Sequence, residues 1–223
     1  MNVTDALNSR FTCRAFKPDA VDRETVVKIL DAAIHAPSWG NTQPWEIFIA
    51  DGLVLDRIRQ GYMENFKKGV PSKIEIPAPQ NWPPYIAQRT QDLLSQRFSA
   101  MGIDPHDEEA MKAFRGANFR FFGAPVVVYL CMDKTLSTWS VFDLGSLSQS
   151  IMLAALEYNL SSAVAAMLVA YPDLIREALG ISKDLSIIIG IALGYCDMQS
   201  PQNKFKSSRR SIQDVVHFSI STI

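Results

Sequence analysis

Apolar positions recur at helical spacing from Asp22 to Ile34, where Val26, Val27, Leu30, Ala33 and Ile34 fall near one face. Asp22 stands where an N-cap is wanted, and Pro37 ends the pattern and opens the turn Ser38-Trp39-Gly40-Asn41. Trp45 to Ala50 then alternates and predicts a strand. Helical patterns return over Tyr85–Ala100 and Glu108–Phe121, separated by Gly102-Ile103-Asp104-Pro105. The short β-branched run Val126–Leu130 predicts a buried strand, and Ile187–Leu193 a second one interrupted by Gly190. Between them Trp139–Tyr158 carries Leu144, Leu147, Ile151, Met152 and Ala155 on nearly all sides, the pattern of a central helix. Asp173–Leu179 predicts a short helix stopped by Gly180.

Five prolines between Pro71 and Pro84 exclude regular helix or central strand there. We therefore expect a surface excursion near residues 60–105 on a single domain spanning 1–223. Strands and helices mix without a regular βαβ alternation, which favours an α+β fold with a mixed or antiparallel central sheet flanked by helices. A polar stretch, Cys196–Arg210, is followed by an apolar piece, Ile212–Ile220, that must be buried somewhere. The tail 196–223 is long enough to embrace another subunit, so an intertwined homodimer is expected.

Composition narrows the function classes. The 223 residues are 48% hydrophobic and 20% charged, enough for a sizeable core, and the formal charge is −1. That balance argues against nucleic acid or an acidic membrane as a bulk-charge partner, while leaving room for a local basic site. The apolar stretches Ala124–Met132, Ala163–Tyr171 and Ile187–Cys196 are well short of the ~18–20 residues a membrane helix needs. Met1–Asp5 lacks the regions of a signal peptide, so a cytoplasmic protein is expected. Cys13, Cys131 and Cys196 form no disulfide or zinc spacing; Cys131 and Cys196 read as small buried hydrophobes, and His35, His106 and His217 make no ligand pair. No phosphate-binding glycine loop, nucleophile elbow or spaced acid–base pair is present, so an enzyme of this sequence would borrow its chemistry from a cofactor.

Three features remain. In an extended segment Arg10, Thr12 and Arg14 share one face, two guanidinium groups flanking a hydroxyl, which suits a phosphate. A second basic cluster, Lys204-Phe205-Lys206-Ser207-Ser208-Arg209-Arg210, lies at the opposite end of the chain. Either alone could be an ordinary solvated face. The loop Ala36–Trp45 is held between Pro37 and Pro44 and offers Ser38, Asn41, Thr42 and Gln43, more polar groups than a turn needs.

Taken in order, Arg10-x-Thr12-x-Arg14-x-Phe16 and Ala36-Pro37-Ser38-x-x-Asn41-x-Gln43-Pro44-Trp45 resemble the nitroreductase family of FMN-dependent oxidoreductases. The likeness continues through Phe122-Gly123-Ala124-Pro125-Val126, Asp143-Leu144-Gly145 and Gly190-Ile191-Ala192-Leu193-Gly194-Tyr195, and closes with Pro201-x-Asn203 and Arg209. Pro83-Pro84-Tyr85 and Arg89 resemble the nitroaromatic and nitrobenzoate reductase subgroup.

The resemblance implies a homodimer with two FMN sites at the subunit interface. Arg10 and Thr12 would hold the phosphate or ribityl end, Arg14 would approach the N1–C2 carbonyl edge of the ring, and Arg209, with Lys206 as companion, would bind phosphate. Pro37, Ser38, Trp39 and Asn41 would come from the other chain, and the backbones of Ala165 and Ala166 would approach the flavin N5 and O4. Flavin N5 carries the chemistry and no protein side chain is named as catalytic. NADH or NADPH would reduce the flavin and leave before a small aromatic or quinone-like acceptor takes its place. The chain departs from the family pattern at Phe11, which stands for a second arginine beside the cofactor, at Trp39-Gly40, and at Asn159-Leu160-Ser161-Ser162, where glycines are usual. Those departures keep two alternatives open: a flavoenzyme of the same fold with different chemistry (enoate or flavin reduction, dehalogenation, flavin cleavage), and a non-catalytic flavin-binding or sensory protein.

Overall fold

A computed structural model describes residues 1–218. Its centre is a four-stranded antiparallel sheet in the order β1-β2-β4-β3, made of β1 (Glu46–Asp51), β2 (Val126–Asp133), β3 (Ser161–Ala165) and β4 (Leu185–Gly194). β2 shows why the sheet is buried on both faces. Its Val127, Tyr129 and Cys131 point to one core and Val126, Val128, Leu130 and Met132 to the other, the period-two alternation of a strand. The second of those cores is closed by α2 (Arg23–Ala33) and α6 (Thr138–Glu157); the first is closed by α3 (Gly52–Lys67), α5 (Glu108–Phe119) and α7 (Pro172–Leu179).

Local signals set the helix ends. The Asp22 carboxylate accepts from the Thr25 N–H at 2.8 Å, and Asp107 accepts from Glu109 and Ala110 N–H, satisfying orphan donors in each first turn. α7 runs from Pro172 at its first position to Gly180 in the left-handed C-cap, as the sequence predicts. Two expected faces are corrected. On α2 the core side is Val26, Ile29 and Ala33, while Val27 and Ile34 are exposed. α6 buries Leu144, Leu147, Ile151 and Ala155, but Trp139 and Phe142 stand in the open, so it is apolar all round without being covered all round. α5 ends at Phe119 rather than Phe121, because Phe121 and Phe122 take positive φ in a following 3-10 turn. Cys131 is buried as expected; Cys196 is half-buried.

Tyr62 is fully buried within α3, so the chain leaves the body only after Lys67. The proline-rich path that follows is fastened down. Glu75 accepts from both Arg176 Nη2 (2.7 Å to each carboxylate oxygen) and the Ile187 N–H (2.6 Å). That last donor lies beside a bulge that shifts the β2–β4 register between Leu130 and Cys131. Lys73 N–H and Tyr171 Oη add bonds at 2.8 and 2.9 Å. The path then launches α4 (Pro84–Met101), which buries none of its residues and overlies the short helix α8 (Pro201–Lys204). The expected apolar end Ile212–Ile220 is exposed at Ile212, Val215, Val216 and Phe218; its last two residues lie outside the described ones.

Candidate functional site

The segment after α1 (Val3–Ser9) is extended and pinned at three points. Thr12 bridges Ser162 of β3 in parallel fashion, and Cys13 N–H donates to the Ser162 carbonyl at 2.9 Å. Phe16 bridges Cys196, and Lys17 N–H donates to the Tyr195 carbonyl at 2.8 Å, just past the end of β4. Cys13 is wholly buried while Arg10, Thr12 and Arg14 are half-exposed, the alternation expected of an extended chain. Phe11, on the Cys13 side, packs against the core while part of its ring stays accessible, and Lys206 Nζ sits 5.1 Å from its ring centroid.

The other basic cluster arrives at the same place. Arg10, Thr12 and Arg14 line one cavity of about 440 Å³ together with Phe11, Lys206 and Arg209. Ser207, Asn8 and Gln149 add polar groups to its wall, and Leu7, Leu93 and Phe205 add apolar ones. Asn203 is what joins the two segments. Its buried side chain accepts from Arg14 N–H at 2.7 Å and donates to the Ala15 and Asp197 carbonyls at 2.8 Å each. Arg209 is shaped by its own loop, donating from Nη1 to the Ser207 hydroxyl and to the Ser207 and Ser208 carbonyls.

The charges are uncompensated. Among the described residues Arg10, Arg14, Lys206 and Arg209 have no carboxylate oxygen within 4.0 Å. Burial pushes the Arg14 guanidinium down to about 10, with the nearby Arg97 charge acting the same way; it stays protonated at neutral pH but lacks an anion. A cavity that combines cations, two hydroxyls and two amides with apolar Leu7, Leu93, Phe11 and Phe205 suits a phosphate monoester with carbon attached.

The loop expected to meet the ring from another chain is placed elsewhere in this one. Pro37, Ser38 and Trp39 line a separate cavity of about 370 Å³ with Trp139, Phe142 and Asp143. Asn41 is exposed in the same loop and lines neither cavity. The loop is rigid: Ser38 Oγ accepts from Gln43 N–H, and Gly40, Asn41 and Gln43 all take positive φ. Gly40, at φ +59°, is thus a glycine by conformational need. Trp39 N–H donates to both oxygens of the buried Asp143 carboxylate at 3.2 Å, and its ring meets Trp139 edge-to-face at 5.4 Å. Trp39 is therefore a fixed aromatic wall, two-thirds exposed at 66%.

Ala165 ends β3 and Ala166 opens a 3-10 turn, half-buried and exposed respectively, three and four residues along from Ser162. The glycine-free stretch before them carries no strain there: Ala165 is extended (φ −153°), and the left-handed position falls on Asn159 (φ +56°), a residue that tolerates it. Sequence reading assigned no role to Asn203 or Asp143. Both lie within the motifs that carried the family likeness, and that was the available signal.

No group of three or more His, Cys, Asp or Glu able to hold a metal occurs among the described residues, and no described helix is long and apolar enough to cross a membrane. Comparison with known proteins agrees with the geometry. The pattern of the nitroreductase family matches residues 7–195. The nitrobenzene nitroreductase of Ectopseudomonas oleovorans is 30% identical over 220 residues, covering 97% of this chain and 96% of its own. Nitroreductase NfnB of Mycolicibacterium smegmatis is 27% identical over 216 residues, covering 96% and 91%. The crystal structure of the FMN-dependent nitroreductase NfnB from Mycobacterium smegmatis in complex with NADPH superposes with a TM-score of 0.91 over 97% of each chain, at 27% identity. The FMN and NADPH-dependent NfnB from Sphigopyxis sp. strain HMH gives 0.92 over 98% and 99%, at 26% identity.

Proposed function

The chain belongs to the nitroreductase family, and from that membership we propose that it is an FMN-dependent oxidoreductase that takes hydride from NADH or NADPH and reduces nitroaromatic or quinone-like acceptors. The observation that carries this reading is the meeting of two basic segments from opposite ends of the chain on one cavity.

The donor set fits the phosphate end of FMN: Arg10, Lys206 and Arg209 supply charge, and Thr12 and Ser207 supply hydroxyls. FMN, when bound, supplies a two-electron carrier between nicotinamide and acceptor. Asn203 holds the Arg14 backbone and burial desolvates its guanidinium, which would supply positive charge at the pyrimidine edge of the ring. The backbones at Ala165 and Ala166 would be the groups offered along the ring's reactive edge. Pro37, Ser38, Trp39 and Asn41 would reach it from a second copy of the chain, which would make the working unit a homodimer. Donor and acceptor use one open face in turn, protons come from solvent, and no protein acid–base pair is needed. A cytoplasmic setting, where both nicotinamides are at hand, belongs to this reading.

The test is a visible spectrum of the purified protein, followed by anaerobic addition of NADPH and of NADH. Yellow protein that bleaches, and regains colour on adding a nitroarene or quinone, is expected. Protein that is colourless and cannot be reconstituted with FMN overturns the reading. Arg10→Ala and Arg209→Ala should each weaken FMN binding roughly 10- to 100-fold, the range of a lost charge-assisted hydrogen bond. Full occupancy in both variants would remove them from the site.

A further inference from the structure

Beside the cavity assigned above lies another of about 430 Å³, bounded by α4 on one side and the chain after α8 on the other. Arg89, Arg209 and Arg210 line it, with hydroxyls from Thr90, Ser207 and Ser208. Leu93, Ser207 and Arg209 line both cavities, so the two are continuous. Ile86 and Leu93 give this one an apolar wall.

Its cations are positioned and unneutralised. The Arg89 guanidinium lies 5.8 Å from the Tyr85 ring centroid, and Arg210 Nη2 donates to the Asp214 carbonyl. Neither has a carboxylate oxygen within 4.0 Å among the described residues. Asp92, the carboxylate on the rim, accepts from Gln88 at 2.9 Å instead. A chain of net charge −1 has no general surplus of cations to scatter here. The phosphate of one FMN is served by Arg10, Lys206 and Arg209, which leaves Arg89 and Arg210 over. Two unpaired guanidinium groups facing one cavity repel each other until an anion arrives, and a phosphate monoester dianion matches their planar forks bidentately.

NADPH differs from NADH by one such monoester, on the adenosine 2′ oxygen. We infer that this cavity takes the adenosine 2′-phosphate of NADPH, with Arg89 and Arg210 as its ligands and Ile86 and Leu93 as the wall for the nucleoside. The inference rests on the oxidoreductase reading of the neighbouring cavity and makes the enzyme selective for NADPH.

Isothermal titration calorimetry of the purified protein with adenosine 2′,5′-bisphosphate, adenosine 5′-monophosphate and inorganic phosphate tests it without turnover. The bisphosphate is expected to bind at least tenfold tighter than the monophosphate, and the Arg89→Gln/Arg210→Gln double variant to lose that margin. Both side chains are exposed, so the fold is not at stake. The same variant should lower the NADPH-to-NADH ratio of kcat/KM tenfold or more. Equal affinity for the two adenosine phosphates, displacement by inorganic phosphate at similar concentration, or an unchanged nicotinamide ratio would each overturn the assignment. FMN content of every sample separates the two readings. Flavin that is bound and bleached without nucleotide discrimination sinks this inference alone; bisphosphate binding by protein that cannot hold FMN sinks the wider function.

Discussion

A methyl group on residue 190 would sit 2.6 Å from Leu168 Cβ, and one on residue 194 would sit 2.5 Å from Pro125 Cδ. Neither glycine has positive φ; both are small because another segment lies directly on β4. In the sequence Gly190 reads as an interruption of a strand. In the fold it is what lets the 3-10 turn Ala166–Val169 close over the sheet, beside Ala165 in register with residue 190. Gly190→Ala should therefore destabilise the protein by roughly 1–3 kcal/mol, the usual cost of overpacking a core. A urea midpoint that falls with unchanged slope would show this; an unchanged midpoint would mean that the turn can lift without cost. The glycines missing before Ala165 teach the complementary lesson, since Asn159 takes the left-handed position and the alanines need only extended backbone.

At the scale of elements, legibility followed periodicity. β4, α2, α4, α5, α6 and α7 are all visible in the pattern of apolar residues, within a residue or two at their ends; β2 is visible too, but runs to Asp133, three residues past the expected Leu130. α3 was not, although Leu55, Ile58 and Tyr62 have helical spacing, because Gly52 and Gly61 interrupt its signal. Gly61 is there for packing: a Cβ would come within 2.9 Å of Leu174 on α7. β3 was hidden because Ser161-Ser162-Ala163-Val164-Ala165 is small and of weak strand preference; pairing with β4, a tertiary effect, makes it a strand. The junction between the extended N-terminal segment and α8 is likewise a tertiary fact, and Asn203 tests it. Asn203→Ala would strand the Arg14 N–H and remove a donor from two carbonyls, so a loss of about 2–3 kcal/mol is expected. FMN affinity, read by flavin fluorescence, should fall at least tenfold because the two basic segments lose register. Asn203→Asp keeps the acceptor for Arg14 N–H but sets a carboxylate against carbonyl oxygens, and should be no better. Unchanged affinity in both variants would mean that the cavity holds its shape without the clamp.

At the scale of the whole molecule, one exposed apolar patch bears on the homodimer proposed above. Trp39, Trp139 and Phe142 are exposed at 66%, 59% and 70%, and lie together around one cavity. Gly145, one helical turn after Phe142, has nothing within 4 Å of where a Cβ would stand. A mid-helix glycine costs about 1 kcal/mol against alanine, and no described neighbour within 4 Å explains it; on the homodimer reading, close approach by a helix of a second copy would. The three rings leave roughly 400 Å² of apolar surface uncovered, on the order of 10 kcal/mol per protomer if a partner covered it all. Area alone does not set affinity, and this patch is about half of what one partner buries in a standard-size interface, so it would anchor a contact between copies rather than make the whole of it. Sedimentation equilibrium should find twice the chain mass at micromolar concentration. Phe142→Glu, which buries a charge in that contact, should yield monomer and strip FMN at the same time, because the loop that carries Trp39 then no longer reaches a partner's cavity. Monomeric protein that keeps its flavin would refute the shared site, and dimer that survives the substitution would place the interface on another face.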